Sequence, residues 1–152
     1  MERKQITVAE SAGFCFGVKR AIEMAEDTAR DAKAEGAEFV YSLGPLIHND
    51  IAVKRLEDEG IRVIDTIGEA EEGSTVIIRS HGEPRETYEA AGKKGIKLVD
   101  ATCPFVEKIH KLVAETAKEV VIVGNPEHPE VAGIRGWCNE PAEKGKFVVA
   151  QT

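Results

Sequence analysis

Short runs of β-branched and aliphatic residues alternate along the chain with longer charged segments in which apolar positions recur every three to four residues. That alternation is the pattern of strand–helix–strand units built on a parallel sheet. Strands are predicted at Gln5–Ala9, Glu38–Leu43, Ile61–Ile64, Thr75–Arg79, Ile96–Asp100, Val120–Val123 and Phe147–Ala150. Helices are predicted at Val18–Glu35, with Ile22, Ala25, Ala29 and Ala32 on one face, and at Asn49–Glu59, Pro84–Lys94 and Pro104–Lys118. Gly60 and Gly95 stand where a helix C-terminus needs a left-handed residue, which costs glycine nothing. The predicted class is α/β, with parallel sheets flanked by helices.

The segment from Phe14 to Asp100 carries four of these strand signals in this reading, and a second series opens at Cys103 and adds two more before the chain stops. No Pro/Gly/Ser-rich linker separates them, so a tight boundary near Thr102 is expected. The final residues, KFVVAQT, read as a strand without the helix that normally covers such a strand in a layered α/β fold. One small α/β domain over 14–102 and most of a second over 103–152 are expected.

Composition narrows the functional classes. The 152 residues hold 20 Lys+Arg against 27 Asp+Glu, a net charge of −7, which supplies no electrostatic reason to bind nucleic acid or an anionic membrane. No apolar run approaches the roughly 20 residues that span a bilayer. MERKQITVAE lacks the apolar stretch of a signal peptide, so a cytoplasmic location is expected. Three widely spaced cysteines, an odd number, argue against a disulfide framework. At 16.5 kDa, a compact chain would expose about 7,500 Å² of the roughly 24,000 Å² of its unfolded state, enough burial for a core.

Candidate chemistry gathers where an open parallel sheet places it, in the loops that leave the strand C-terminal ends. His48 in SLGPLIHND, His81 in RSHGEP, Cys103 in DATCPF and His128 in GNPEHPE each follow a predicted strand, and Cys15 in AGFCFGVKR stands at a helix entrance. Pro104 suits a first helical position, which sets the Cys103 thiol at a helix N-terminus where the dipole and free N–H groups favour the thiolate. Phe14 and Phe16 flank Cys15 and are expected to wrap it in apolar surface that would shield a cluster. His110 reads as a helix-surface or packing residue, and Cys138 as structural or incidental. Glu130, two residues beyond His128, could donate a proton from a closed pocket, although a glutamate early in a helix is more often a partner of the helix dipole. No CxxC pair is present, which excludes a zinc ribbon, a thioredoxin-like motif and a ferredoxin-type run. GxGxxG and GxxxxGK[ST] are absent as well, so anion binding would rest on histidines and helix N-termini. Hydrolysis by a Cys103 nucleophile lacks a local signature and an orienting third group.

Five segments, AGFCFGVKRAI, YSLGPLIHN, VIIRSHGEP, LVDATCPFVEKIH and GNPEHPEVAGIRGW, in this order and at these distances, resemble the N-terminal half of the 4-hydroxy-3-methylbut-2-enyl diphosphate reductase family. The resemblance implies three α/β domains around a central cavity, with residues 1–13 belonging to a third domain outside this chain. It implies an oxygen-sensitive [4Fe-4S] iron–sulfur cluster on three cysteines, of which Cys15 and Cys103 match two and the third lies in the other half. It further implies that His48, His81 and His128 hold the diphosphate of an allylic substrate, and that Glu130 helps to deliver protons. The implied reaction is a reductive dehydroxylation to isopentenyl and dimethylallyl diphosphates in isoprenoid biosynthesis, with electrons from a carrier such as ferredoxin or flavodoxin. The competing expectation is a metal-free α/β module that binds a phosphorylated ligand or a protein partner through the histidine loops without redox chemistry.

Overall fold

The computed structural model describes residues 6–138 and 147–151. Helix α1 spans Phe16–Ala34, strand β1 Val40–Leu43, helix α2 Asp50–Asp58 and strand β2 Ile61–Ile64. A 3-10 turn at Ile67–Glu69 leads to strand β3 at Thr75–Ile78, helix α3 at Arg85–Lys93 and strand β4 at Lys97–Asp100. Helix α4 at Pro104–Glu115, strand β5 at Val120–Val123, helix α5 at Pro129–Trp137 and strand β6 at Phe147–Ala150 follow.

The first four strands form one parallel sheet in the order β2-β1-β3-β4, and β5 pairs in parallel with β6 in a second sheet. Central strands β1 (VYSL) and β3 (TVII) are buried along almost their whole length, with Ser42 buried among apolar residues, because both of their faces are covered. Val40 and Ile77 face a core built with Ala21, Ile22, Ala25 and Ala29 of α1 and Leu56 of α2. Tyr41, Leu43, Val76 and Ile78 face the opposite core, closed by Ala91 of α3 and by Ile64, Ala70 and Ile96. Edge strands β2 and β4 alternate or stay partly open, as expected of strands with one unpaired side.

The second sheet is thinner. Its core consists of Val113, Ile122 and Cys138, flanked by Val131, Ile134 and Trp137, while Val121, Val123 and Val148 stay exposed. On α4, Phe105 and Leu112 are exposed too. The chain exposes 10,429 Å² in all, well above the roughly 7,500 Å² expected of a compact chain of this mass.

Two sequence expectations are corrected. Residues 6–9 of the predicted Gln5–Ala9 strand have no regular structure; Ile6 and Val8 are exposed, because an extended segment becomes a strand only where a partner edge receives its hydrogen bonds. Gln5 lies outside the described residues. Helix α4 ends at Glu115 rather than Lys118, where Thr116 turns to an extended conformation and its N–H closes on the Leu112 carbonyl. Among the described residues no helix is long and apolar enough to cross a membrane.

Candidate functional site

In the parallel order β2-β1-β3-β4 the side on which strands are added changes between β1 and β3, and a crevice opens outside the C-terminal ends of strands at such a switch point. The loop leaving β1 carries His48 and the loop leaving β3 carries His81, with ring centroids 4.6 Å apart. His128 caps the N-terminus of α5 after β5 and completes a triangle, 6.0 Å from His48 and 5.8 Å from His81. The three histidines, separate in sequence, therefore form one cluster.

Each ring is prepared differently. His128 Nδ1 accepts the Glu130 backbone N–H at 3.2 Å, so its neutral form carries the proton on Nε2 and presents a donor. His48 directly precedes Asn49, whose side chain caps α2 by accepting the Ala52 N–H at 2.9 Å. His81 Nδ1 is buried without a hydrogen-bond partner among the described residues. Burial, helped by His48, Arg79 and His128, lowers the His81 pKa from 6.5 to about 4. The free site thus holds His81 neutral, and an anion among the rings would reverse that balance by favouring the protonated form.

The cysteines stand at the same edge. Cys15 is the N-cap of α1 and Cys103 the N-cap of α4, neither using its side chain as a cap, with Pro104 at the first position of α4. A methyl group on Gly17 would come 2.6 Å from Cys103 Sγ, so the Cys103 thiol lies directly on the first turn of α1, two residues beyond Cys15. The Cys103 N–H donates to the Ser80 carbonyl at 2.9 Å and Arg20 donates to the Thr102 carbonyl at 3.1 Å, which ties both helix entrances to the histidine loop. A cavity of about 180 Å³, lined by Phe14, Val18, His48, Asn49 and His81 among others, opens beside the histidine loops. Cys103 is half-buried, whereas Cys15 is exposed, and the expected apolar wrapping around it is corrected, because Phe14 and Phe16 are themselves exposed and no other element among the described residues covers them. Glu130 sits half-buried in the first turn of α5.

His110 is a packing residue, stacked on Trp137 with centroids 5.7 Å apart. It is buried, its Nε2 lacks a partner among the described residues, and burial lowers its pKa against the pull of Asp100 and Glu107. Cys138 is buried in the second core, with its thiol pKa raised by burial. Residue-by-residue reading of the sequence missed the support beneath His81. Arg79 Nε donates to Glu83 Oε1 at 2.7 Å, both side chains being largely enclosed, and burial raises the Glu83 pKa although Arg79 opposes it. The Arg79 guanidinium also lies over Gly44, where φ is +69° and a methyl group would come 2.5 Å from it. The i,i+4 spacing of Arg79 and Glu83 was visible, but their burial was not.

Against this geometry stand the comparisons with known proteins. Residues 6–151 match the family model described as LytB protein. The chain belongs to the LytB family. This LytB chain is 47% identical over 142 residues to the 4-hydroxy-3-methylbut-2-enyl diphosphate reductase of Alkaliphilus oremlandii (strain OhILAs), covering 91% of the chain and 49% of that protein. To the enzyme of the same name from Aquifex aeolicus (strain VF5) it is 48% identical over 151 residues, covering 97% of the chain and 50% of that protein. A solved structure of (E)-4-hydroxy-3-methyl-but-2-enyl diphosphate reductase, the terminal enzyme of the non-mevalonate pathway, is similar at a TM-score of 0.77 and 46% identity, over 97% of this chain and 51% of that one. The corresponding reductase structure from Plasmodium falciparum is similar at 0.79 and 30% identity, over 94% and 49%. The LytB chain spans about half the length of the relatives it matches.

Two thiols at adjoining helix entrances fit two corners of an iron–sulfur cluster. Among the described residues, no group of three or more His, Cys, Asp or Glu is arranged to hold a metal ion.

Proposed function

We propose that this chain is the substrate-anchoring half of a 4-hydroxy-3-methylbut-2-enyl diphosphate reductase, acting on an allylic diphosphate. The single observation that carries the reading is the convergence of His48, His81 and His128 from three strand-end loops. A diphosphate offers oxygens to several donors at once, and imidazoles beside helix N-termini at Asn49 and His128 suit that charge.

In this reading His128 donates from Nε2, while the unpartnered Nδ1 of His81 becomes a donor when the ring protonates beside the anion. Cys15 and Cys103 would hold an iron–sulfur cluster together with a third thiolate from outside this chain. Bound there, the cluster would supply an open iron for the substrate hydroxyl and electrons for a two-electron reductive dehydroxylation. Glu130 follows the His128 cap by two residues and would hand a proton to the hydroxyl side as it leaves. The electron donor is a carrier such as ferredoxin or flavodoxin, and the compartment is cytoplasmic. Domain limits near 13 and 102 accompany this reading.

The test uses protein in which this chain is joined to the second half of the family's length, purified without oxygen. It is expected to be brown and to turn over the allylic diphosphate, with colour and turnover both lost in Cys103→Ser. A colourless protein with full turnover overturns the redox reading.

A second reading, a metal-free module binding a phosphorylated ligand or a protein partner, draws on the closeness of the three histidine rings to one another. It expects calorimetric binding of the allylic diphosphate to the 152-residue chain alone. Absence of such binding removes it.

A further inference from the structure

Two of the three histidines stand on the four-stranded sheet, whereas His128 stands on the first turn of α5, which belongs to the thinner second unit. Something must set the distance between them. Helix α5 runs along the backbone of the His81 loop, and the contacts that register it are specific. Gly133 lies against the His81 and Gly82 carbonyl oxygens, which a methyl group there would meet at 3.5 and 3.4 Å. One turn later, a methyl group on Gly136 would come 2.7 Å from the Pro84 Cα, a backbone atom that cannot turn aside. At the end of the helix, Trp137 Nε1 donates to the Glu83 carbonyl at 2.9 Å, and Glu83 is itself pinned by Arg79. The Trp137 ring is held by His110 in a stack and by Tyr88 at its edge, each with centroids 5.7 Å away.

We infer that Trp137 and Gly136 are positioning residues, which lock α5 against the loop from His81 to Pro84 and thereby hold His128 within reach of the anion bound by His81. This rests on the anion reading of the three histidines. Trp137 stacks on His110 rather than on the three clustered rings, and it and Gly136 act through the helix, whose two ends carry His128 and Trp137. A helix is stiff along its axis, so anchoring one end and pressing the middle against backbone sets the other end. The two glycines permit the close approach, and the indole N–H fixes the register along it.

The experiment uses the 152-residue chain, proton NMR and inorganic pyrophosphate as the probe. In the parent, ring protons of His81 are expected to show cross-relaxation with those of both His48 and His128. Trp137→Phe keeps an aromatic ring and deletes the donor; Gly136→Ala adds one methyl group against Pro84. In both variants the His81–His128 cross-peak is expected to weaken or vanish while the His48–His81 peak persists. Pyrophosphate affinity is expected to fall about five- to tenfold, the scale of one lost hydrogen bond. A purely structural role would lower the melting temperature and leave the ring geometry of the folded protein unchanged. Should Gly136→Ala fail to fold, Trp137→Phe alone carries the test. Folded variants with parental cross-peaks and parental affinity overturn the inference. If the parent does not bind pyrophosphate but the variants lose the His81–His128 peak, the positioning stands and the anion reading falls.

Discussion

The two sheets of this chain differ in how they keep their strands. Strands β1 and β3 are buried on both faces, with Val76, Ile77 and Ile78 all fully enclosed, so each is gripped by two cores. Strand β5 has one covered face, where Ile122 meets Val113 and Cys138, and one open face, where Val121 and Val123 are 67% and 65% exposed. The lesson concerns the site: His48 and His81 inherit their positions from a doubly covered sheet, while His128 depends on contacts across the seam.

The comparison is broken most severely by Ile77→Ala, which opens a cavity between two elements that cannot collapse around it and is expected to cost about 3–5 kcal/mol in urea unfolding. A loss below about 1 kcal/mol would mean that the large sheet is no better packed than the small one. Arg79→Met is expected to cost about 3 kcal/mol near neutral pH, because it strands the Glu83 carboxylate in an enclosed position. The deficit should shrink on acidification, as Glu83, its pKa already raised by burial, takes up a proton. A pH-independent deficit would contradict the buried ion pair.

A milder effect is expected of pH on the histidine cluster. Because the folded His81 pKa lies near 4 against an ordinary 6.5, its contribution to stability is full above pH 6.5 and is lost as pH falls toward 4. Anion binding is expected to run the opposite way: an anion held beside His81 would raise its pKa, so affinity for pyrophosphate should rise as pH is lowered from 7 toward 5, and calorimetry at two pH values checks the sign. The smallest effect sharpens the contrast from the other side. Val123→Thr on the open face is expected to change stability by no more than about 0.5 kcal/mol, and a larger loss would show that the face is covered in solution.

Local sequence determined a good deal. Periodicity located β2, β5 and β6 to the residue and the first four helices within a few residues, because apolar faces are written into the chain at period two or 3.6. The closeness of His48, His81 and His128 was legible because parallel strands send their C-terminal loops to one edge, whereas Cys15 follows no strand among the described residues. Resemblance added the family, which the match over residues 6–151 bears out. Periodicity did not delimit α5. Its nine residues include two glycines and follow a proline-rich entrance, and their helical state is stabilised by packing against α4 and the His81 loop rather than by propensity.

Only the tertiary structure decided which neighbours those residues would have. His110 could not be assigned to core or surface from EKIHKLVAE; it became core because α5 brought Trp137 over its ring. Arg79 and Glu83 form an enclosed pair, since the His48 loop folds Gly44 over the guanidinium. Gln5–Ala9 carries a strand's residue types, but over residues 6–9 no edge meets it. Residue type and spacing determine what a segment can do, and they do so locally. Burial, partners and therefore protonation are set by chain segments tens of residues away, such as Trp137 on the Glu83 carbonyl 54 positions earlier.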